Sequence, residues 1–290
     1  MRFWRRKASV LRVRLTNWSR ARLPAPPDAG PAKDWSFRLH ERLHIVHAPM
    51  DRGYRMILDL DSPEQRAAFV DRDYEPAMMN RCFQLLPRDG VALDIGAHVG
   101  LVSCALGAHV KVAGGKVFGF EPVRANYERL LENVSLNGLE NTVYVQRVAL
   151  GAEKGELRMH VVPGSRTNNA VGENMLSEEN RRNIAQNRPG NEVAPLVRLD
   201  DWAHEHPPDR CDLIKIDVEG AELKVFEGGR RLLQRFRPAI LAEFNPYWMR
   251  QIHQSFEDVQ AFLPASGLQH LPGKQGQLSA SDRDRSGPRG

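Results

Sequence analysis

VALDIGAHVG, residues 91 to 100, is the stretch on which the reading of the fold turns. Val91 to Ile95 form a short apolar run broken only by Asp94, and glycines follow at 96 and 100. Such a run is too short for a helix and reads as a buried strand. The glycines allow a tight turn that brings backbone close to a ligand, just where a helix begins. LVSCALGAHV then reads as that helix and stops near the Gly114-Gly115 pair.

Outward from this unit the pattern repeats. KVFGFEP is the next strand, and ANYERLLENVSLNG carries Tyr127, Leu130, Leu131 and Val134 at helical spacing, with Gly138 as its stop. NTVYVQRVAL reads as a third strand, GELRMHVV as an extra edge strand, and VRLDDW as the return to the fold. CDLIKID is a fourth strand, GAELKVFEGGRRLLQRF its helix, PAILAEFN a fifth strand, SFEDVQAFLPASG a helix and LQHL a weak strand. Alternation of this kind predicts an α/β fold: a Rossmann-like, mainly parallel sheet with helices on both faces. Ligands in such sheets bind outside the carboxyl ends of the strands.

The flanks divide the chain further. Residues 1–35 read as a basic leader ending in the linker of Pro24, Pro26, Pro27, Gly30 and Pro31. Residues 36–87 form an accessory layer: a hairpin from RLHIVHAP and YRMILDL, a helix capped by Ser62 with Pro63 and Glu64 in its first turn, and a second helix over 75–86. The main domain spans 88–272, with a polar insertion at 163–192 expected to act as a lid, and 273–290 read as a disordered tail.

Charge is unevenly placed. The net charge of +5 hides a leader in which residues 1–27 hold eight basic residues and no acid. The rest of the chain is slightly acidic, so the balance gives no ground for nucleic-acid binding. The leader, with Phe3, Trp4 and Trp18 among its bases, reads as a solvated segment, as a peripheral contact with an anionic membrane or as a transit peptide. No run approaches the ~20 apolar residues of a membrane span. Cys82, Cys104 and Cys211 are too few and too widely spaced for a disulfide framework or a zinc cluster. Free thiols of this kind suggest a reducing, cytoplasmic compartment.

The strand ends hold the chemistry. In a dinucleotide fingerprint, G-x-G-x-x-G, the second and third glycines would fall at His98 and Leu101. The side chain at 98 crowds a pyrophosphate path. S-adenosylmethionine has no pyrophosphate and needs only a tight turn at Gly96, Ala97, His98 and Gly100, with an acceptor for its ammonium that Asp94 or backbone carbonyls could supply. Glu121 ends the second strand before Pro122, where a carboxylate accepts both ribose hydroxyls. Ala149, after the third strand, is small enough to lie against adenine. Asp217 ends the fourth strand and Glu243 the fifth, so neighbouring strands aim two carboxylates at one cleft. Such a pair raises one pKa and suits a general base. Glu219 and Glu222 suit the first turn of the next helix, and Glu219 is also near enough to touch substrate. No separate metal signature accompanies these acids.

Taken together, Asp94 to Gly100, Glu121-Pro122, Asn137-Gly138, Leu199-Asp200, Lys215 to Glu222 and Glu243 resemble the FkbM family of S-adenosylmethionine-dependent methyltransferases, over about residues 85–245. The resemblance implies a class I methyltransferase sheet and methyl transfer, mostly to oxygen, on sugars, glycolipids or secondary metabolites. It implies a small-molecule or glycan acceptor. A hydroxyl acceptor has to lose its proton, and from their placement Asp217 or Glu243 would take it, with His98 a lesser candidate. The last antiparallel strands of the family are poorly marked after Gly267. Two other readings stay open from the residues alone: a nucleotide-dependent oxidoreductase on a similar sheet, and a non-catalytic module that keeps the cofactor fold. The acceptor and the oligomeric state have no signature here. Arg166, Arg181, Arg182 and Arg188 in the insertion suit solvation or an acidic substrate.

Overall fold

A computed structural model describes residues 44–160, 171–172, 192–244, 249–250, 252, 254–265, 271–272 and 277–280. The expected leader, and nearly all of the insertion with its four arginines, lie outside the described residues.

The chain enters through an antiparallel hairpin, β1 (Ile45–Pro49) and β2 (Arg55–Asp59), closed by a bond from the Met50 amide to the Tyr54 carbonyl. Helix α1 (Pro63–Asp71) starts at Ser62, whose hydroxyl accepts from the Gln65 amide, with Pro63 in the first turn where its missing N–H costs nothing. Helix α2 (Pro76–Leu85) follows and buries Met78, Met79 and Cys82.

The central sheet has five parallel strands: β3 (Val91–Ile95), β4 (Lys116–Phe120), β5 (Val143–Gln146), β10 (Leu213–Ile216) and β11 (Ala239–Glu243). Two short antiparallel strands, β12 (Leu271–Pro272) and β13 (Gln277–Ala280), complete the order β12-β13-β11-β10-β3-β4-β5. The order reverses at β3, so a crevice opens above β3 and β10. A second sheet holds β6 (Ala149–Leu150), β7 (Gly155–His160), β8 (Val171–Gly172) and β9 (Glu192–Val197), in the order β6-β9-β7-β8.

Strand pleating sorts the side chains. Leu93, Ile95, Ile214, Ile216 and Ile240 face α5 (Leu199–Glu205), α6 (Glu222–Gly228), α7 (Arg230–Phe236) and α8 (Phe256–Ala265), in a core around Trp202 and Phe226. Ala92, Leu213 and Leu241 face α2, α3 (Leu101–Val110) and α4 (Arg124–Leu136). Each fully buried Leu or Ile contributes roughly 1.5–3 kcal/mol. By the same alternation Asp94, Lys215, Asp217 and Glu243 share the α2–α4 side. Cys82, Cys104 and Cys211 are free and fully buried.

The accessory layer shares that core with α3 and α4. Two asparagines of α4 dock it. Asn133, fully buried, accepts from the Ile57 amide at 2.6 Å and donates to the Ile57 and Val99 carbonyls. Asn137 accepts from the Arg55 amide and donates back to the Arg55 carbonyl. They satisfy the backbone of β2 on its open edge, where no strand of the described residues pairs.

Three expectations change. The third strand is broken: β5 stops at Gln146, and Ala149 belongs to the second sheet, paired with β9. The long helix after Asp217 is two helices, parted at Gly229, where a Cβ would stand 2.7 Å from Leu199 Cδ2. The close packing of α5 sets the break. The stretch read as a tail supplies β13, which pairs with the edge of β11. Its short polar sequence carries no strand signal; an open sheet edge supplies the partner.

Candidate active site

The β3–α3 turn is built by close packing. Gly96 has φ +79°, and a Cβ there would fall 1.8 Å from the Asp217 carbonyl oxygen. Any side chain would push the turn off the β10 end. The amides of Gly96 and Ala97 both donate to the Phe120 carbonyl, which binds the turn to β4. His98 also sits at positive φ, and its amide donates to Glu121 Oε2 at 2.8 Å.

Glu121 is 5% exposed at the end of β4. Its Oε1 accepts from the Val123 amide at 3.0 Å and from Asn126 Nδ2 at 3.3 Å. Burial pushes its carboxyl up to about 7, against the pull of these hydrogen bonds and of Lys215. The carboxylate is thereby oriented and partly desolvated, a poised acceptor on the wall of a cavity of about 340 Å³.

Lys215 is 7% exposed and lies beneath the same cavity. Its ammonium is 3.3 Å from the Gly96 carbonyl oxygen, 3.7 Å from Asp94 Oδ1 and 3.6 Å from Asp217 Oδ2. Burial alone would lower its pKa, but Asp217 and Asp94 more than offset this and the net shift is upward. It stays charged, as a buried ammonium with two carboxylates does.

Across the cavity stand Asp217, Glu219 and Glu243. Burial raises the Glu243 carboxyl, and the charge of Asp217 raises it further. Glu219 is raised first by burial, then by Asp217, Glu243 and Glu64. Glu222 is 1% exposed; its Oε1 accepts from the Gly220 amide at 3.0 Å and the Val218 amide at 3.4 Å. Burial pushes its carboxyl to about 7.

The cavity brings together Gly96, Ala97, His98, Glu121, Pro122, Ala149, Asp217, Glu219 and Glu243, as expected of one site. Two expected members are absent from its wall. Asp94 is fully buried under the turn, accepting from Ser103 Oγ at 2.5 Å and facing Lys215, and so lies behind the cavity wall. Gly100 is buried at the head of α3, where a Cβ would meet Leu130 at 2.3 Å. It serves helix packing. Glu222 keeps its helix-start role and adds a place on the wall. Glu64, Tyr74 and Glu75 of the accessory layer also line the cavity. Only Lys215 had given a signal: a lone charge inside a buried strand requires a partner.

Among the described residues no group of three or more His, Cys, Asp or Glu is arranged to hold a metal ion. No helix there is long and apolar enough to cross a membrane.

The strand order, the antiparallel edge and the crevice above β3 and β10 define a class I methyltransferase fold. The family model for the methyltransferase FkbM domain matches residues 94–270, and the chain belongs to this methyltransferase family. It is 28% identical over 233 residues to methyltransferase sdnD of Sordaria araneosa, covering 73% of this chain and 89% of that protein. It is 24% identical over 182 residues to the hexuronic acid methyltransferase AglP of Haloferax volcanii, covering 63% of this chain and 67% of that one. A crystallised FkbM methyltransferase from Methylobacillus flagellatus is similar at 19% identity with a TM-score of 0.43, over 68% of this chain and 45% of that one. This chain thus spans under half of that crystallised protein.

Proposed function

We propose that this protein transfers the methyl group of S-adenosylmethionine to a hydroxyl oxygen of a small-molecule or glycan acceptor, on a sugar, glycolipid or secondary metabolite. The observation that carries the reading is the pairing of Glu121 with the Gly96 turn on one side of a cavity that holds Asp217 and Glu243 on the other. The residues fit the cofactor. Gly96 lets the turn lie tight against the Asp217 carbonyl, with its backbone lining the cavity, and Glu121 is held where a ribose diol would meet both its oxygens. Ala149, 7% exposed, leaves room for a flat base beside Pro122.

When bound, S-adenosylmethionine supplies a methyl group already activated on a sulfonium. The chain's own task is then positioning and proton removal. Backbone at Gly96, Ala97 and His98 would hold one end of the cofactor, and Glu121 would accept its ribose hydroxyls. Asp217 or Glu243 takes the acceptor's hydroxyl proton as the oxygen–carbon bond forms. Lys215 holds Asp217 in place from below.

Calorimetry with S-adenosylmethionine and with NAD tests the cofactor, and binding of NAD alone would refute it. A transfer assay with labelled cofactor and cell extract, followed by identification of the labelled bond, tests the oxygen acceptor.

A further inference from the structure

On the β10–β11 side the cavity wall carries five carboxylates from two layers. Asp217, Glu219 and Glu243 come from the strand ends, and Glu64 and Glu75 from the accessory layer. They are near enough to act on one another. Glu219 is raised, after burial, by Asp217, Glu243 and Glu64; Glu243, after burial, by Asp217 and Glu75. The lysine of this wall, Lys215, is already set against Asp94 and Asp217 from beneath. The cofactor brings only one net positive charge. The wall therefore keeps an excess of negative charge in a partly desolvated cleft, where fields act strongly.

A second observation points to a missing donor. Glu222 is 1% exposed and lies on the same cavity wall. Its Oε1 is taken by the Gly220 and Val218 amides, while its Oε2 has no hydrogen-bond partner among the described residues. A buried carboxylate oxygen left so costs free energy that a ligand N–H or O–H recovers.

We propose that the methyl acceptor carries a protonated amine beside its hydroxyl, and that this acidic wall selects it over acceptors bearing carboxylate or phosphate. The proposal rests on the methyl-transfer reading and narrows its acceptor. A carboxylate brought against five others is repelled, a neutral sugar gains nothing from the field, and an ammonium is drawn in by it.

The test uses the full chain saturated with S-adenosylhomocysteine and three sugars of one ring: glucosamine, glucose and glucuronate. Titration calorimetry at neutral pH and low salt should give roughly tenfold tighter binding of glucosamine than of glucose, with no binding of glucuronate. Added salt should shrink the difference. The double variant Glu64→Gln, Glu75→Gln should reduce it to about twofold while its affinity for S-adenosylhomocysteine is kept. In the labelled-extract assay the product should be retained on a cation exchanger at neutral pH. An equal response to the three sugars, none included, or a preference for glucuronate overturns the proposal, as does a labelled product held on an anion exchanger. Failure to bind S-adenosylhomocysteine would instead remove the parent reading.

Discussion

Asp94 and Lys215 stand in register on paired parallel strands, and the lysine ammonium lies 3.7 Å from Asp94 Oδ1 under the active-site turn. The same ammonium reaches the Gly96 carbonyl and Asp217. One buried cation thus ties the turn after β3 to the acid after β10. The charge that looks out of place in the apolar run LIKI is the bracket of the site.

Lys215→Met should therefore be costly. It leaves Asp94 buried without its cation, and breaking a buried pair in this way costs about 3–5 kcal/mol. Urea unfolding should show that loss, and adding Asp94→Asn should recover part of it. A change under ~0.5 kcal/mol, typical of surface positions, would show that the pair holds nothing.

Gly96→Ala should damage ligand binding more than folding. The new Cβ collides with the Asp217 carbonyl, and the left-handed φ is strained for alanine. Affinity for S-adenosylmethionine should fall by roughly tenfold or more, read by calorimetry on a chain whose circular dichroism is unchanged.

Glu121 should make stability depend on pH. Folding raises its carboxyl from the ordinary 4.5 to about 7, chiefly by burial. Below about pH 4.5 both states hold the proton and this group adds no penalty. Between there and about 7 the unfolded chain releases it first, so a penalty grows, reaching on the order of a few kcal/mol above that range. Glu121→Gln escapes it. Its stability relative to the native chain should improve as pH rises from 5 to 8, measured by urea midpoints, while ribose contact weakens cofactor affinity. A difference that stays flat over this range would contradict the buried, raised carboxyl.

Asn133→Ala should loosen the accessory layer. It strands the Ile57 amide and carbonyl at the edge of β2 and the Val99 carbonyl before α3, a loss of about 3 kcal/mol at the usual cost of buried unsatisfied groups. Hydrogen exchange should quicken over β1, β2 and α1 before it does in β3 or β10.

Asp217→Asn and Glu243→Gln should separate the proton acceptor from its neighbour. Loss of the base lowers kcat by about 10²–10⁴-fold, and the acidic limb of the kcat/KM profile disappears with it. Full turnover in both variants would discard the carboxylate base.

Much of this site is legible in residue order because the βα turns are local. Gly96, His98, Glu121 and Asp217 each follow a strand immediately, and a parallel sheet places every such position on one edge. Glu121 and Asp217 are 96 positions apart in the chain and face one cavity for that reason alone. Asp94 misled because it too sits near a strand end. Two positions before the turn, it falls inside the pleat, where its side chain meets Ser103 and Lys215 and stays off the cavity wall.

The sequence by itself determined the alternating α/β order, the glycine turn, the strand-end acids and so the methyltransferase family, since these depend on period and on neighbours in the chain. Tertiary structure alone decided that Glu64, Tyr74 and Glu75 close the cavity, that Asn133 docks the hairpin on α4, and that Gln277–Ala280 joins the edge of β11. Those contacts join segments far apart in the chain. Packing selects them by buried area and by hydrogen bonds left to satisfy, and neither quantity is written in any short run of residues.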